Sequence, residues 1–526
     1  MPEGSISSSV EGMTPAWVRV AMPSVADLIF VALLCVLVFT SLSVRLLGDA
    51  GIGWHIRTGQ QILATHAVPR VDSFSSTMGG KPWFAWEWLY DLVVGQLGAS
   101  LGLDGVVWFT AVVIAGVFGW AFLLLIRRGT NILPAVVLLL LAVCASMIHF
   151  LARPHVVSWL FTLLWFWILD SNERGRLDGG DGKKLWLLPL LMLVWVNVHG
   201  GFVVGFMLLG IFWLGAIWEW FRAKDGRLEE ILQKINAGKR ARNLTLVGLL
   251  SAVASLGNPY GWKLHEHIYA YLSNRFLMDH IDEFQSPDFH RIAQRCFLGL
   301  LLITLATLAV RGRDLRVSHG LIVLFAVYAG LYASRNIPVA ALLLVMVVGA
   351  LAPTVPAGFW QRMTAVETSQ RGHLWPVLAV IVTLAVAANG GRVGSATLID
   401  AHFDPQRMPM SAVDFLEKDE VKGPILSVDN WGGYLIYRLY PKAKVVVDDR
   451  HDLYGDEFFE SYLRMVRVER GWGEFLQQYK ASYLLLPRDA ALSNILIEGN
   501  EWKPIYADEV TVVFVPAVGP SPVPTP

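Results

Sequence analysis

Long apolar stretches alternate with short polar ones from Val25 to about residue 390, and there the alternation stops. Apolar runs near twenty residues match the helix length that crosses a bilayer core of roughly 30 Å. On that basis the chain has about eleven spans, near 25–47, 105–126, 132–151, 154–170, 185–197, 202–221, 243–257, 296–310, 319–334, 336–352 and 374–390. The first run is too long for a signal-peptide core and reads as a retained signal anchor. Asn197-Val-His199-Gly-Gly201 marks either a tight turn between two helices or the break in a single one. Beyond Phe403 the pattern changes. Strand-like runs at 425–428, 445–447, 483–486 and 510–515 alternate with helix-like stretches such as 458–468. The predicted architecture is a polytopic α-helical membrane protein, transmembrane over 25–390, with a C-terminal soluble α/β domain at 405–517 and a Pro-rich disordered tail at 518–526.

Composition supports this picture. Hydrophobic residues make up 54% of the 526 and charged residues only 16%, with a mean hydropathy of +0.49. A soluble chain of this length would be about a quarter charged. Lys+Arg and Asp+Glu balance at 43 each, so nothing in the net charge calls for a nucleic-acid partner. Cys35, Cys144 and Cys296 all lie in apolar runs and read as small hydrophobes.

The placement of charge gives the orientation. With residues 1–24 cytoplasmic, the inside loops are 127–131, 171–184, 222–242, 311–318 and 353–373. Together with the N-terminal segment they carry roughly twice the Lys and Arg of the outside loops, the asymmetry expected of a cytoplasmic (inner) membrane protein. An odd number of spans then puts the C-terminal domain outside.

The first outside loop, 48–104, holds a short helix-like stretch, a turn, and then Trp83-Phe-Ala-Trp86-Glu87-Trp88. Three tryptophans so close suit an amphipathic helix lying among headgroups. Polar groups near membrane segments are costly and hint at function. Here they cluster on one side: Asp49, His55, Arg57, Asp72 and Glu87 in the first loop; Arg153 and His155 in the next outside turn; then Asn197 and His199; then Asn258, Glu283 and Ser286-Pro-Asp288; then Arg335. The inside loops show no comparable punctuation. Asn-Pro and Ser-Pro can simply end helices, and Arg153 and Arg335 can snorkel to headgroups. Asp49, straight after an apolar run and a flexible Gly, is the strongest catalytic candidate. In the tail, Asp429, Asp448 and Asp449 each follow a strand-like run, where open α/β sheets place ligands, although such aspartates also cap helices.

Gly48-Asp-Ala-Gly-Ile-Gly-Trp-His-Ile-Arg-Thr-Gly59, followed by Val68-Pro-Arg-Val-Asp-Ser-Phe-Ser75 and Trp86-Glu-Trp-Leu89, resembles the first periplasmic loop of bacterial membrane glycosyltransferases of the GT-C superfamily. Arg153-Pro-His155, Trp195 to Gly201, Asn258-Pro-Tyr-Gly261, Glu283 to Asp288, Ser334 to Pro338, Asp429 to Tyr434 and Asp448-Asp-Arg450 resemble an uncharacterised branch of it. The resemblance implies a membrane enzyme that takes a sugar from a polyprenyl-phosphate carrier, a lipid-phosphate co-substrate, and passes it to a glycan, lipid or protein acceptor. It implies that Asp49 acts on the acceptor as a base. Many relatives carry paired acidic residues there; Asp49-Ala50 supplies a single carboxylate, so no metal ligand is assigned and a divalent cation stays open. His55, Arg57, Asp72, Trp83, Glu87, Arg153, His155, Asn197, His199, Glu283, Arg335, Asp429, Asp448 and Asp449 are the expected substrate-binding set. The rival is a non-enzymatic lipid or polysaccharide transport or assembly protein, which needs polar groups near mid-bilayer. Asn197 and His199 are the only candidates for that. A ligand sensor would need a cytoplasmic output domain, and the inside loops leave no space for one.

Overall fold

The computed structural model describes residues 16–175, 183–224, 226–352, 358–369, 373–418 and 421–517. The expected disordered tail at 518–526 and most of the N-terminal cytoplasmic segment lie outside the described residues.

Every apolar stretch is helical. Trp88–Arg127, Ile132–His149, Gly200–Arg222, Ile292–Asp314 and Ser334–Leu351 are long and apolar enough to cross a membrane, and Val25–Phe39, Val317–Tyr332 and Leu374–Ala388 are shorter apolar helices. This is a multi-pass membrane protein. His155–Glu173, Leu188–Trp195 and Leu228–Ser255 occupy the remaining expected spans. Leu188–Trp195 has only 8 residues, about 12 Å of helix. The turn at 196–199 joins two separate helices, because the second restarts at Gly200–Phe202 and runs on as Val203–Arg222. Ile337–Leu351 is apolar on all sides and buried along nearly its whole length, as a helix at the centre of a bundle must be.

Two breaks shape the first long loop. The opening helix stops at Phe39 and resumes only as Leu42–Leu46. Trp88–Arg127 bends at Gly102, whose φ of 64° and ψ of −157° are open to glycine but strained for any other residue. This bend separates an amphipathic first segment from the apolar one expected at 105–126. The tryptophans do not share a headgroup helix. The chain is extended at 83–85, the helix starts at Trp88, and Trp83 is buried edge-on against Trp54 and Phe74.

In the C-terminal part a four-stranded mixed sheet runs in the order Ile425–Ser427, Tyr483–Pro487, Thr511–Pro516, Trp502–Ala507. The first pair is parallel, with Ile425 opposite Tyr483; the others are antiparallel, with Leu484 opposite Phe514 and Trp502 opposite Pro516. Helices Met410–Lys418, Asp429–Leu439, Asp456–Val466, Trp472–Tyr479 and Ala491–Glu498 accompany it. The expected strand at 445–447 is instead a single bridging position: Val445 pairs with Ile425 on one side and with Ser75 of the first loop on the other. Strand Trp502–Ala507 was not expected, because its alternation is masked by Lys503-Pro504 on an exposed edge.

That bridge is part of a broad join between the first loop and the tail. Thr77 Oγ1 donates to the Val446 carbonyl at 2.7 Å. Arg57 donates through Nε to the Tyr437 carbonyl at 2.8 Å. Helices Ile52–Thr65 and Asp429–Leu439 approach closely at Gly53 and Gly433: a Cβ on Gly53 would run into the Gly433 carbonyl, and one on Gly433 into the backbone of Ala50 and Gly51 just before the first helix. One apolar core is continuous from the bundle through Phe74 and Trp83 to Leu435, Val445 and Leu485.

Candidate functional site

Arg153 is the hub. It lies in the turn before helix His155–Glu173, and its Nη1 is 2.9 Å from Asp449 Oδ2 and 3.4 Å from Asp49 Oδ1. Asp49 Oδ1 also accepts from the Gly51 amide at 2.8 Å, which fixes the carboxylate beside the loop-helix start. Trp54 Nε1 donates to the other oxygen of Asp449 at 3.0 Å, and the Arg153 guanidinium lies 5.9 Å from the Trp54 ring. Gly51 makes this approach possible, since a Cβ there would collide with both the Arg153 guanidinium and the Asp449 carboxylate. Burial pushes the Asp449 carboxyl up to about 6, against the pull of Arg153. One cation thus ties three distant parts of the chain into one polar cluster.

A second cluster adjoins it. Glu87 Oε2 is 3.8 Å from His55 Nε2, and Oε1 is 3.7 Å from His199 Nε2. His55 Nδ1 lies 2.5 Å from Asp91 Oδ1, and both side chains are fully buried. His199 Nδ1 accepts from the Gly201 amide at 3.0 Å and lies 2.9 Å from Ser158 Oγ. His155 Nε2 is 2.8 Å from the His149 carbonyl, with the two rings edge-on. Arg335 pairs with Glu283 at 3.1 Å and covers the Phe284 ring. Arg335 and Arg153 both act electrostatically on Glu87, so these groups face a common region.

Other expected site residues are used within the protein. Arg450 is buried between two carboxylates: Asp448, which it meets through Nε at 2.8 Å and Nη2 at 2.7 Å, and Asp72, 2.8 Å from Nη1. The Asp72 carboxylate also accepts from the Ser75 amide and hydroxyl, and Asp448 from Tyr454. The Arg450 guanidinium lies 4.7 Å from the Trp83 ring. Asp72, Asp448, Trp83 and Arg57 therefore lock the loop to the tail. Asn197 Oδ1 accepts from Trp88 Nε1 at 2.7 Å while its amide donates to the Leu193 and Gly257 carbonyls, which leaves it structural work. Asp429 is 2.7 Å from His451 Nε2 and accepts from Tyr462.

Asp91 and His149 belong to the site region and were not expected there. Asp91 has a readable signal: a lone carboxylate in an apolar stretch, one helical turn past Glu87. The bundle also holds a second polar knot, where none was expected. Asp170, Glu173 and His319 are buried there with metal-ligand spacing. Arg128 and Arg174 each lie 3.1 Å from Asp170, and Arg316 lies 3.5 Å from Glu173, so guanidinium groups already match the carboxylates. At Asp49 and Asp449 the Arg153 guanidinium stands where a cation shared by the two carboxylates would sit. Neither place fits a divalent ion.

No protein-family model matches the chain, and no curated protein is similar to it in sequence. Among solved structures, ArnT from Cupriavidus metallidurans in the apo state matches at a TM-score of 0.51 and 14% identity over 94% of this chain and 99% of that one. The same protein bound to undecaprenyl phosphate matches at 0.47, 14% identity and the same coverage. The Archaeoglobus fulgidus oligosaccharyltransferase tethered to an acceptor peptide matches at 0.49 and 12% identity over 88% of this chain and 69% of its own. The match to apo ArnT shows that the chain shares the fold of that protein.

Proposed function

We propose that this chain is a membrane glycosyltransferase that moves a sugar from a polyprenyl-phosphate donor to an acceptor at the outer face of the cytoplasmic membrane. The observation that carries this reading is Arg153 held between Asp49 and Asp449 at one end of an apolar bundle of this fold. A polyprenyl phosphate leaves as a stable anion, so the protein needs cations to hold the phosphate more than a strong acid at the leaving group. Arg153 and Arg335 are the cations in place, and a guanidinium can meet two phosphate oxygens at once. Each now faces protein carboxylates, which the donor phosphate would replace in part. Asp49 is the carboxylate that engages the acceptor hydroxyl. Displacement from that side inverts the anomeric centre, by analogy with inverting hydrolases. The arrangement fits this chemistry without a metal step.

The test is chemical. Lipids from a strain lacking the protein are expected to accumulate a polyprenyl-phosphate sugar, and the purified protein is expected to consume that lipid fraction and release the free polyprenyl phosphate. An unchanged lipid profile, with no turnover of polyprenyl-phosphate sugars in vitro, returns the chain to a non-enzymatic role.

A further inference from the structure

Glu87 immediately precedes helix Trp88–Arg127, and its side chain is 13% exposed. What sets it apart is the chemistry of its two neighbours. His199 Nδ1 accepts a hydrogen bond from the Gly201 amide, so a neutral His199 ring carries its proton on Nε2, the atom 3.7 Å from Glu87 Oε1. His55 is the reverse. Its Nδ1 lies 2.5 Å from Asp91 Oδ1, so with Asp91 ionised the neutral ring keeps its proton there and turns a bare Nε2 toward Glu87 Oε2 at 3.8 Å. That Nε2 is fully buried and has no hydrogen-bond partner among the described residues. Asp91 Oδ2 and the Tyr90 hydroxyl beside it are likewise without one. At 3.7 and 3.8 Å neither contact is yet a hydrogen bond, and a shift of roughly 1 Å gives a Glu87 carboxylate a donor in His199 or a carboxylic acid an acceptor in His55.

We propose that Glu87 is the proton acceptor of the transfer step, with His55 and His199 as positioning residues on either side. This rests on the glycosyltransferase reading and assigns the base role to Glu87, leaving Asp49 to hold the acceptor. The acceptor O–H bond breaks and its proton goes to Glu87. The freed oxygen forms the new bond to the anomeric carbon. The bond from that carbon to the phosphate oxygen breaks, and its electron pair stays on the departing polyprenyl phosphate. Glu87 then returns the proton to solvent. Groups acting on Glu87 are His55 and His199 in contact, Asp91 behind His55, and Arg153, Arg335 and Asp452 at longer range. Burial raises Glu87 to about 7, with Arg153 opposing. Burial also lowers His199 to about 3 and, with Arg153 adding to it, holds His55 well below its usual value. Near neutral pH the carboxyl group is thus the titrating member of the trio.

Infrared titration of the purified protein decides the proton site without any substrate. The expected result is a protonated-carboxyl band that disappears with a midpoint near pH 7 and is missing in Glu87→Gln. With the lipid-linked sugar fraction as probe, transfer should rise about tenfold per pH unit up to that midpoint and then level off. Glu87→Gln should lose about 10² to 10⁴-fold and Glu87→Asp should recover part of it. His199→Leu takes away the Nε2 donor to the carboxylate, together with the Nδ1 contacts to Gly201 and Ser158, so it should move the acid limb to higher pH even if Glu87→Gln fails to fold. No carboxyl titrating near neutral pH, or an acid limb unmoved by His199→Leu, overturns the proposal. Absence of any turnover with an intact infrared signature would instead count against the glycosyltransferase reading.

Discussion

Arg153 Nη1 lies 2.9 Å from Asp449 Oδ2, a hydrogen bond across 296 positions that joins a turn of the apolar bundle to the segment leading out of the C-terminal sheet. The same nitrogen holds Asp49, so the first loop, the turn of the bundle and the tail are one electrostatic unit.

Replacing Asp49 with Asn keeps the shape and removes the charge. It should cost the 1.5–3 kcal/mol or so of a charged hydrogen bond, a drop in transfer of about tenfold to a hundredfold, with donor affinity kept. Arg153→Gln should do the opposite, raising the donor KM more than the acceptor KM. Steady-state kinetics on the lipid-linked sugar separate the two, and full activity in Asp49→Asn means the wrong carboxylate was chosen.

Arg450 makes a different prediction, because it holds the fold and has no substrate to meet. Removing one member of a buried ion pair leaves uncompensated charge and costs about 3–5 kcal/mol. Arg450→Gln should therefore destabilise the loop–tail join strongly, and Asp72→Asn should act in the same direction. Limited proteolysis in urea reports it: cleavage within the 66–87 segment should begin at lower denaturant in both variants. Wild-type midpoints would mean the triad is dispensable.

The tail also carries a pH dependence. Burial alone would lower His451, but its bond to Asp429 outweighs that and holds it above its usual value, while Asp429 is held below its own. The histidine contribution is complete below its unfolded value of about 6.5 and fades as pH rises through the raised folded value; the aspartate contribution is complete above about 3.9 and fades as pH falls through the lowered one. Thermal unfolding of wild type and His451→Gln should differ most around pH 5 and converge in alkali. A constant difference across that range rejects the linkage.

Orientation follows from the charge asymmetry. Reporter fusions should place the 222–242 segment in the cytoplasm and the chain beyond residue 400 outside. A cytoplasmic tail sinks the outer-face assignment.

The apolar helices were legible because a bilayer imposes length and hydropathy on each one independently of its neighbours. Ile337–Leu351 could be read as helix from its sequence alone, whereas at Asn197 the sequence left a turn between two helices and a break in a single one both open. The grouping of Asp49, Arg153, Glu87, His199 and Arg335 was partly legible, since each lies in a break between apolar runs, and those breaks alternate with the Lys- and Arg-rich ones. Their partners were not. Asp72 and Asp448 look like free acids on paper, and only the path of the chain reveals Arg450 between them. Trp83 reads as an interfacial residue until its burial under Trp54 and Phe74 is seen. The Asp170–His319 pair was hidden because one member sits in a run otherwise suited to lipid.

The join at Gly53 and Gly433 has a consequence for how the protein comes into being. Thr77 and its partner Val446 are separated by 369 positions, which a ribosome covers in something on the order of half a minute. Through that interval the early segment is already across the membrane with Asp72 and the glycine face of its helix waiting for partners still to be made. The cluster around Arg153 is then completed late and all at once, when the tail docks. A nascent chain halted before that point would lack Asp449, and Arg153 and Trp54 would have no partner there.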